Sequence, residues 1–283
     1  MAILGGLGAA AAWAVTILCA SRATRIIDSA SVLGWVMLTG FCIVVPWSLL
    51  KGVPDGLDAR SSTWLLAAGL GNILGLLLTY SALRTGNVGI VAPIVSTEGA
   101  VAAILAVLAG EQLGAGSAAI LALIALGVAL AATAAESPAG TSVGRHPAAV
   151  PLLAFLAACC FGISIYATAR ASAELPIAWA VAPPRILGVL FIALPLTATS
   201  RLHITRNALP LVVVSGVGEV VGFAFFAVGS RHNIAIAAVL SSQFAALAAV
   251  AAYFLFRERL SRVQLVGVTT IVVGVTVLTA LQA

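Results

Sequence analysis

Charge is scarce in this sequence. It has 14 Lys and Arg and 9 Asp and Glu among 283 residues, or 8%, against about 25% in an ordinary soluble domain. That deficit excludes an ordinary globular protein, and the 62% apolar content excludes disorder, which needs low hydrophobicity and high net charge. Cysteine is also sparse: Cys19, Cys42, Cys159 and Cys160 sit inside apolar runs without metal-ligand spacing. They read as small buried hydrophobes, which excludes a disulfide scaffold and a cysteine metal centre. There is no Ser/His/Asp set, no HExxH sequence and no P-loop, and the three His lie outside the apolar runs. The chain therefore does not read as an enzyme, and no metal or cofactor is called for. No basic patch is interleaved with aromatics, so nucleic acid is not an expected partner.

What is present is apolar sequence in long runs, which identifies an integral membrane protein. A spanning helix takes about 20 apolar residues, so this length holds on the order of ten or eleven spans. Ten candidates run from about Ala2 to Ala20, Ala30 to Leu50, Ser62 to Leu83, Val88 to Ala109, Gly116 to Ala135, Ala149 to Ala169, Pro176 to Thr199, Ala208 to Gly229, Ile234 to Phe256 and Val263 to Gln282. Continuous runs, unlike ten-residue alternating ones, predict helices and not a barrel. The first run lacks a basic leader and reads as a retained helix. The polar connection from Glu136 to Pro147, with Ser137-Pro138-Ala139-Gly140, reads as a linker between halves. This divides the chain into 1–135, 136–148 and 149–283.

The halves are alike. Gly69, Gly71, Gly75 and Arg84 each recur 147 residues later as Gly216, Gly218, Gly222 and Arg231. Glu111-Gln112-Leu113 matches Glu258-Arg259-Leu260, and Gly127 matches Gly274, at the same offset, while Trp13, Thr16 and Arg22 align with Phe161, Ser164 and Arg170 at 148. Each half carries about five helices, and an odd number places the second half in the opposite orientation. The predicted fold is thus all-α, ten transmembrane helices in two inverted five-helix repeats, an architecture of secondary transporters with the solute site near the midplane.

Two such repeats, each closing with a Glu at a helix end before a Gly-bearing last helix (Gly110-Glu111-Gln112-Leu113; Arg257-Glu258-Arg259-Leu260), resemble the EamA-like family of the drug/metabolite transporter superfamily. The stretch Val91-Ala92-Pro93-Ile94-Val95-Ser96-Thr97-Glu98 also resembles that family's fourth helix. The resemblance spans nearly the whole chain and implies a ten-helix exporter or permease of small metabolites. The second fourth-helix equivalent departs from the pattern, with Ala238-Val239-Leu240 in place of Ala92-Pro93-Ile94. That removes the reason to expect a kink there, whereas Pro93, which has no backbone donor, is a candidate hinge one turn before Glu98.

Ionisable groups at a helix centre cost about 2.5–3.5 kcal/mol on insertion scales, so those kept at depth are functional candidates. They are Glu98 in the fourth run, Glu219 in the eighth and Arg185 in the seventh. Asn72 aligns with Glu219, and Ser241-Ser242-Gln243 falls near Ser96-Thr97-Glu98 with a one-residue ambiguity. Each half then carries one carboxylate and one amide, and Asn72, Glu98, Glu219 and Gln243 are expected to line a cavity with Arg185 as counter-ion or anion partner. Trp13 and Tyr166, on the first helix of each half, would pack a flat or apolar solute. The alternatives are structural: either Glu pairing with Arg185 or lying nearer an interface, Arg185 snorkelling to the headgroups, Asn72 and Gln243 bonding between helices, and Trp13 and Tyr166 packing the core. Glu111 and Glu258 read as turn or interface carboxylates, and the Gly pairs as close helix contacts.

Three functions are compatible. The first is an exporter of small polar or amphiphilic, amino-acid-like metabolites by alternating access. A carboxylate in a dry site resists ionisation, so protonation of Glu98 or Glu219 can alternate with solute binding. The second is a multidrug or organic-cation exporter of the same fold, and the remote third is a membrane enzyme or scaffold. Expected partners are the solute, protons and the lipid bilayer, and the expected location is a bacterial cytoplasmic membrane. The odd-numbered loops carry nine Arg (22, 25, 84, 145, 201, 206, 257, 259 and 262), and the others carry Lys51, Arg60, Arg170 and Arg231. The positive-inside rule then places both termini outside.

Overall fold

With few polar side chains to receive backbone N–H and C=O groups, the apolar runs satisfy those groups internally. The computed structural model is accordingly all-helical, with no strand among the described residues. It describes residues 1–85, 88–112, 114–133 and 149–248, together with single residues between 263 and 277. The linker at 136–148, Glu258 with its neighbouring arginines, and most of the tenth run lie outside the described residues. The helices are α1 (Ala2–Ala23), α2 (Ser29–Leu50), α3 (Ala59–Thr85), α4 (Val88–Val95), α5 (Glu98–Leu108), α6 (Ala115–Thr133), α7 (Ala149–Glu174), α8 (Ile177–Val181), α9 (Pro183–Gly188), α10 (Leu194–Ala198), α11 (Leu209–Ser230) and α12 (Ile234–Ser241). Six stretches are long and apolar enough to cross a membrane: α1, α2, α3, α7, α11 and the segment Ile177–Ala198.

The packing is inside out relative to a soluble protein. On α3, Leu66, Leu70 and Leu74 follow one another at four-residue spacing and are exposed, as are Val217, Val221, Phe225 and Val228 on α11. The buried faces are rich in Ala, Gly and Ser. Lipid tails provide no hydrophobic drive between helices, so close contact through small residues holds them together. The most extensive contacts join elements of different halves: α1 with α11, α3 with α7, and α5 with α12. These pairs repeat in detail. Gly71 lies against Ser164 and Gly75 against Phe161, while Gly218 lies against Thr16 and Gly222 against Trp13. The Ser164 hydroxyl donates to the Ala68 carbonyl at 2.7 Å, and the Thr16 hydroxyl donates to that of Ser215 at 3.3 Å. The glycines that repeat at 147 therefore meet the residues that repeat at 148.

Three of the expected runs are interrupted. Pro183 and Pro184 follow a break at Ala182, and a π-helical turn spans Val189–Ala193, where the Leu194 N–H donates to Val189 O and Pro195 follows without an N–H. The fourth run breaks at Ser96-Thr97 and the ninth at Ser242-Gln243. The second break corrects the expectation drawn from the missing Pro. At both breaks a hydroxyl turns back on its own helix: the Thr97 hydroxyl donates to Ile94 O at 2.7 Å and the Ser242 hydroxyl to Val239 O at 2.8 Å. Such back-bonding competes with the helical N–H for the same carbonyl.

Connections meet at the two ends of α2. At its start, Asp28 caps the helix by accepting from the Ser31 N–H at 2.9 Å. There the Ser31 hydroxyl donates to Arg201 O and accepts from the His203 N–H. Beyond its other end, Trp179 donates to Gly52 O at 2.8 Å, and Arg231 donates to the carbonyls of Ser172 and Leu175 at 2.7 and 2.8 Å.

Candidate functional site

The polar side chains that membrane depth makes costly are gathered around one interior cavity. From the first half, α1 contributes Trp13, Thr16 and Ile17, α3 contributes Asn72, Leu76, Thr79 and Tyr80, and the broken fourth helix contributes Val95 and Glu98. From the second half come Phe161 and Ile165 on α7, Glu219 and Phe223 on α11, and Phe244 just after the ninth-run break. The lining is itself a repeat: Trp13 with Phe161, Ile17 with Ile165, Asn72 with Glu219, and Leu76 with Phe223. Matched by their breaks, Ser96-Thr97 corresponds to Ser242-Gln243, which makes Phe244 the counterpart of Glu98. This settles the one-residue ambiguity.

Charge in the cavity is asymmetric. Glu98, Glu219 and Asn72 are buried, and Arg185 is completely so. Arg185 Nη2 lies 3.4 Å from Glu219 Oε2, and its guanidinium stands 5.0 Å from the centre of the Phe223 ring. It is an interior residue, set behind Glu219 and not among the lining groups. Glu98, the first residue of α5, has no ion-pair partner among the described residues. Asn72 lies beside Glu219, yet neither polar atom of its amide completes a hydrogen bond. Trp13 Nε1, Thr79 Oγ1 and Tyr80 OH are likewise buried without partners.

Of the expected site residues, Trp13, Asn72, Glu98 and Glu219 thus come together, with Arg185 joined through Glu219. Gln243 is buried at the second break with Nε2 unpartnered, but it does not line the cavity. Tyr166 lies elsewhere, edge-on to Trp64 at 5.7 Å. Pro93 falls within α4, one turn before the break. Sequence reasoning missed Thr79, Tyr80, Phe223 and Phe244. Helical spacing carries the signal for three of them, since Thr79 and Tyr80 lie seven and eight residues beyond Asn72, and Phe223 lies four beyond Glu219.

The cavity is small, about 50 Å³ of space for the centre of a water molecule, room for a few waters. Glu111 reaches from the first half to the start of α12, where its carboxylate accepts from the N–H groups of Ile234 and Ala235 at 2.7 and 3.2 Å.

A bundle with an apolar exterior and its polar groups gathered inside is an integral, multi-pass membrane protein. The model of the EamA-like transporter family matches residues 1–133 and again 149–280. The chain belongs to that family, within the drug/metabolite transporter superfamily, whose members are membrane transporters and not enzymes. A solved structure described as "Crystal structure of protein" shares the fold, with TM-score 0.78 at 20% identity over 99% of this chain and 96% of that one. No curated protein matches the chain.

Proposed function

We propose that the chain is a secondary transporter exporting a small polar or amphiphilic metabolite by alternating access, with proton exchange at Glu98, in a bacterial cytoplasmic membrane. The observation that carries this reading is the buried carboxylate of Glu98, without a cation partner among the described residues, on a cavity walled by both repeats. A buried, unpaired carboxylate is costly, and either a proton or a cationic group of a solute neutralises it. Exchange between the two gives coupling.

The same reading takes the fold as ten spans in two inverted repeats. Supporting it, the connection between α1 and α2 lies at one end of α2, whereas its repeat counterpart between α7 and α8 lies at the other end. The connection between α2 and α3 and its counterpart before α11 are exchanged in the same way. Interlocked repeats of opposite orientation can rock against one another about a fixed central site.

Reconstituted vesicles loaded with amino acids and related amines test the proposal. A pH gradient is expected to drive solute flux in the wild type. Absence of gradient-driven flux across the panel would remove the coupled mechanism.

A further inference from the structure

Resting on the transporter reading, we infer that the solute is a small amine of single positive charge with an aromatic or flat apolar body, its ammonium held at Glu98. Zwitterionic amino acids are the poorer ligands. Three features of the cavity carry this. The first is its charge: Glu98 and Glu219 are both buried here, Arg185 offsets Glu219 at 3.4 Å, and one uncompensated negative site remains at Glu98. A monocation completes that balance, whereas a zwitterion brings a carboxylate for which no free cation lines the cavity among the described residues. Arg185 can receive it only by releasing Glu219, and leaving a buried charge unpaired is severely penalised.

The second feature is the ring lining. Trp13, Tyr80, Phe161, Phe223 and Phe244 share the cavity with Glu98, and aromatic faces attract desolvated cations. The Arg185 guanidinium 5.0 Å from the Phe223 ring centre already shows that contact in the cavity wall. The third is the set of buried polar atoms without partners, Trp13 Nε1, Tyr80 OH and Thr79 Oγ1. They are available to a ring hydroxyl or to water accompanying the amine.

The experiment compares three ligands with one phenyl ring and different charge: phenethylamine, phenylalanine and phenylpropionate. Binding to the purified full chain is followed by calorimetry, and flux is measured in vesicles. Phenethylamine is expected to bind at least about 10-fold more tightly than phenylalanine, with phenylpropionate weakest. Glu98→Gln is expected to weaken phenethylamine binding by at least about 100-fold, and Phe161→Ala or Phe244→Ala by about 10-fold. Should Glu98→Gln fail to fold, Glu98→Asp, which keeps the charge but withdraws it by one methylene, is expected to cost about 10-fold. Equal or tighter binding of phenylalanine, or unchanged phenethylamine binding in the Glu98 variants, overturns the inference. Phenylalanine flux without amine binding overturns it while leaving the transporter reading in place. Amine binding with no flux of any panel member supports the binding site and overturns the transporter reading.

Discussion

Arg185 and Glu219 face each other across 3.4 Å in the interior of the bundle, while Glu98 on the same cavity has no such partner among the described residues. The two carboxylates therefore have different tasks. Glu219 holds a buried guanidinium, and removing either partner strands the other, a loss of about 3–5 kcal/mol. Arg185→Met and Glu219→Gln are each expected to lower the unfolding midpoint in detergent steeply, and the double variant to recover most of the loss. A double variant as unstable as the sum of the single ones would show that the pair does not act as a unit.

The glycines of α3 and α11 set how closely the halves approach. A Cβ at Gly71 would stand 2.7 Å from the Cys160 carbonyl oxygen, a backbone atom with little freedom to move. Gly71→Ala is expected to cost about 1–3 kcal/mol or more by overpacking, and Gly218→Ala to act similarly against Thr16. Gly114→Ala, where a Cβ meets nothing within 4 Å, serves as the neutral control. Unfolding midpoints of the three variants check this ordering.

The breaks in the fourth and ninth runs share a back-bonded hydroxyl, at Thr97 and Ser242, whereas a proline precedes only the first, so the hydroxyl contribution can be tested against that of Pro93. Thr97→Val and Ser242→Ala free the carbonyls of Ile94 and Val239 and should slow amide exchange at 97–98 and 242–243 as the helices close up. Pro93→Ala alone should leave exchange at 242–243 unchanged and the first break in place. Healing of the first break by Pro93→Ala would assign it to the proline.

Glu111 fastens the start of α12 with two charge-assisted bonds from another half of the chain. Glu111→Gln is expected to cost about 1 kcal/mol and to speed amide exchange at Ile234 and Ala235 several-fold, with exchange in α2 unaffected. Unchanged protection at both amides would contradict this cap.

The membrane class and most helix positions were legible because hydrophobic runs and charge scarcity are properties of composition. The repeat was legible because Gly71, Gly75, Gly218 and Gly222 are constrained to small size by their contacts. The cavity was partly legible: Glu98, Glu219 and Asn72 stand out because polar groups at membrane depth are costly, and Trp13 because it is large among small neighbours. Phe223 and Phe244 were not, since an aromatic in an apolar run looks the same whether it faces lipid or cavity. The break at Ser242-Gln243 escaped notice because it leaves the hydropathy pattern unchanged. Tyr166 shares a helix with Phe161 and Ile165 but turns to Trp64 instead, a distinction of helical face that the alignment of Trp13 with Phe161 already contained.

The most direct measurement is solute flux driven by a pH gradient in vesicles holding either the wild type or Glu98→Gln, with folding of both verified by thermal unfolding. The wild type is expected to couple flux to the gradient, and Glu98→Gln to fold with near wild-type stability and to lose at least about 100-fold in coupled rate. Gradient-driven flux of undiminished rate in a folded Glu98→Gln protein would contradict the central role of Glu98.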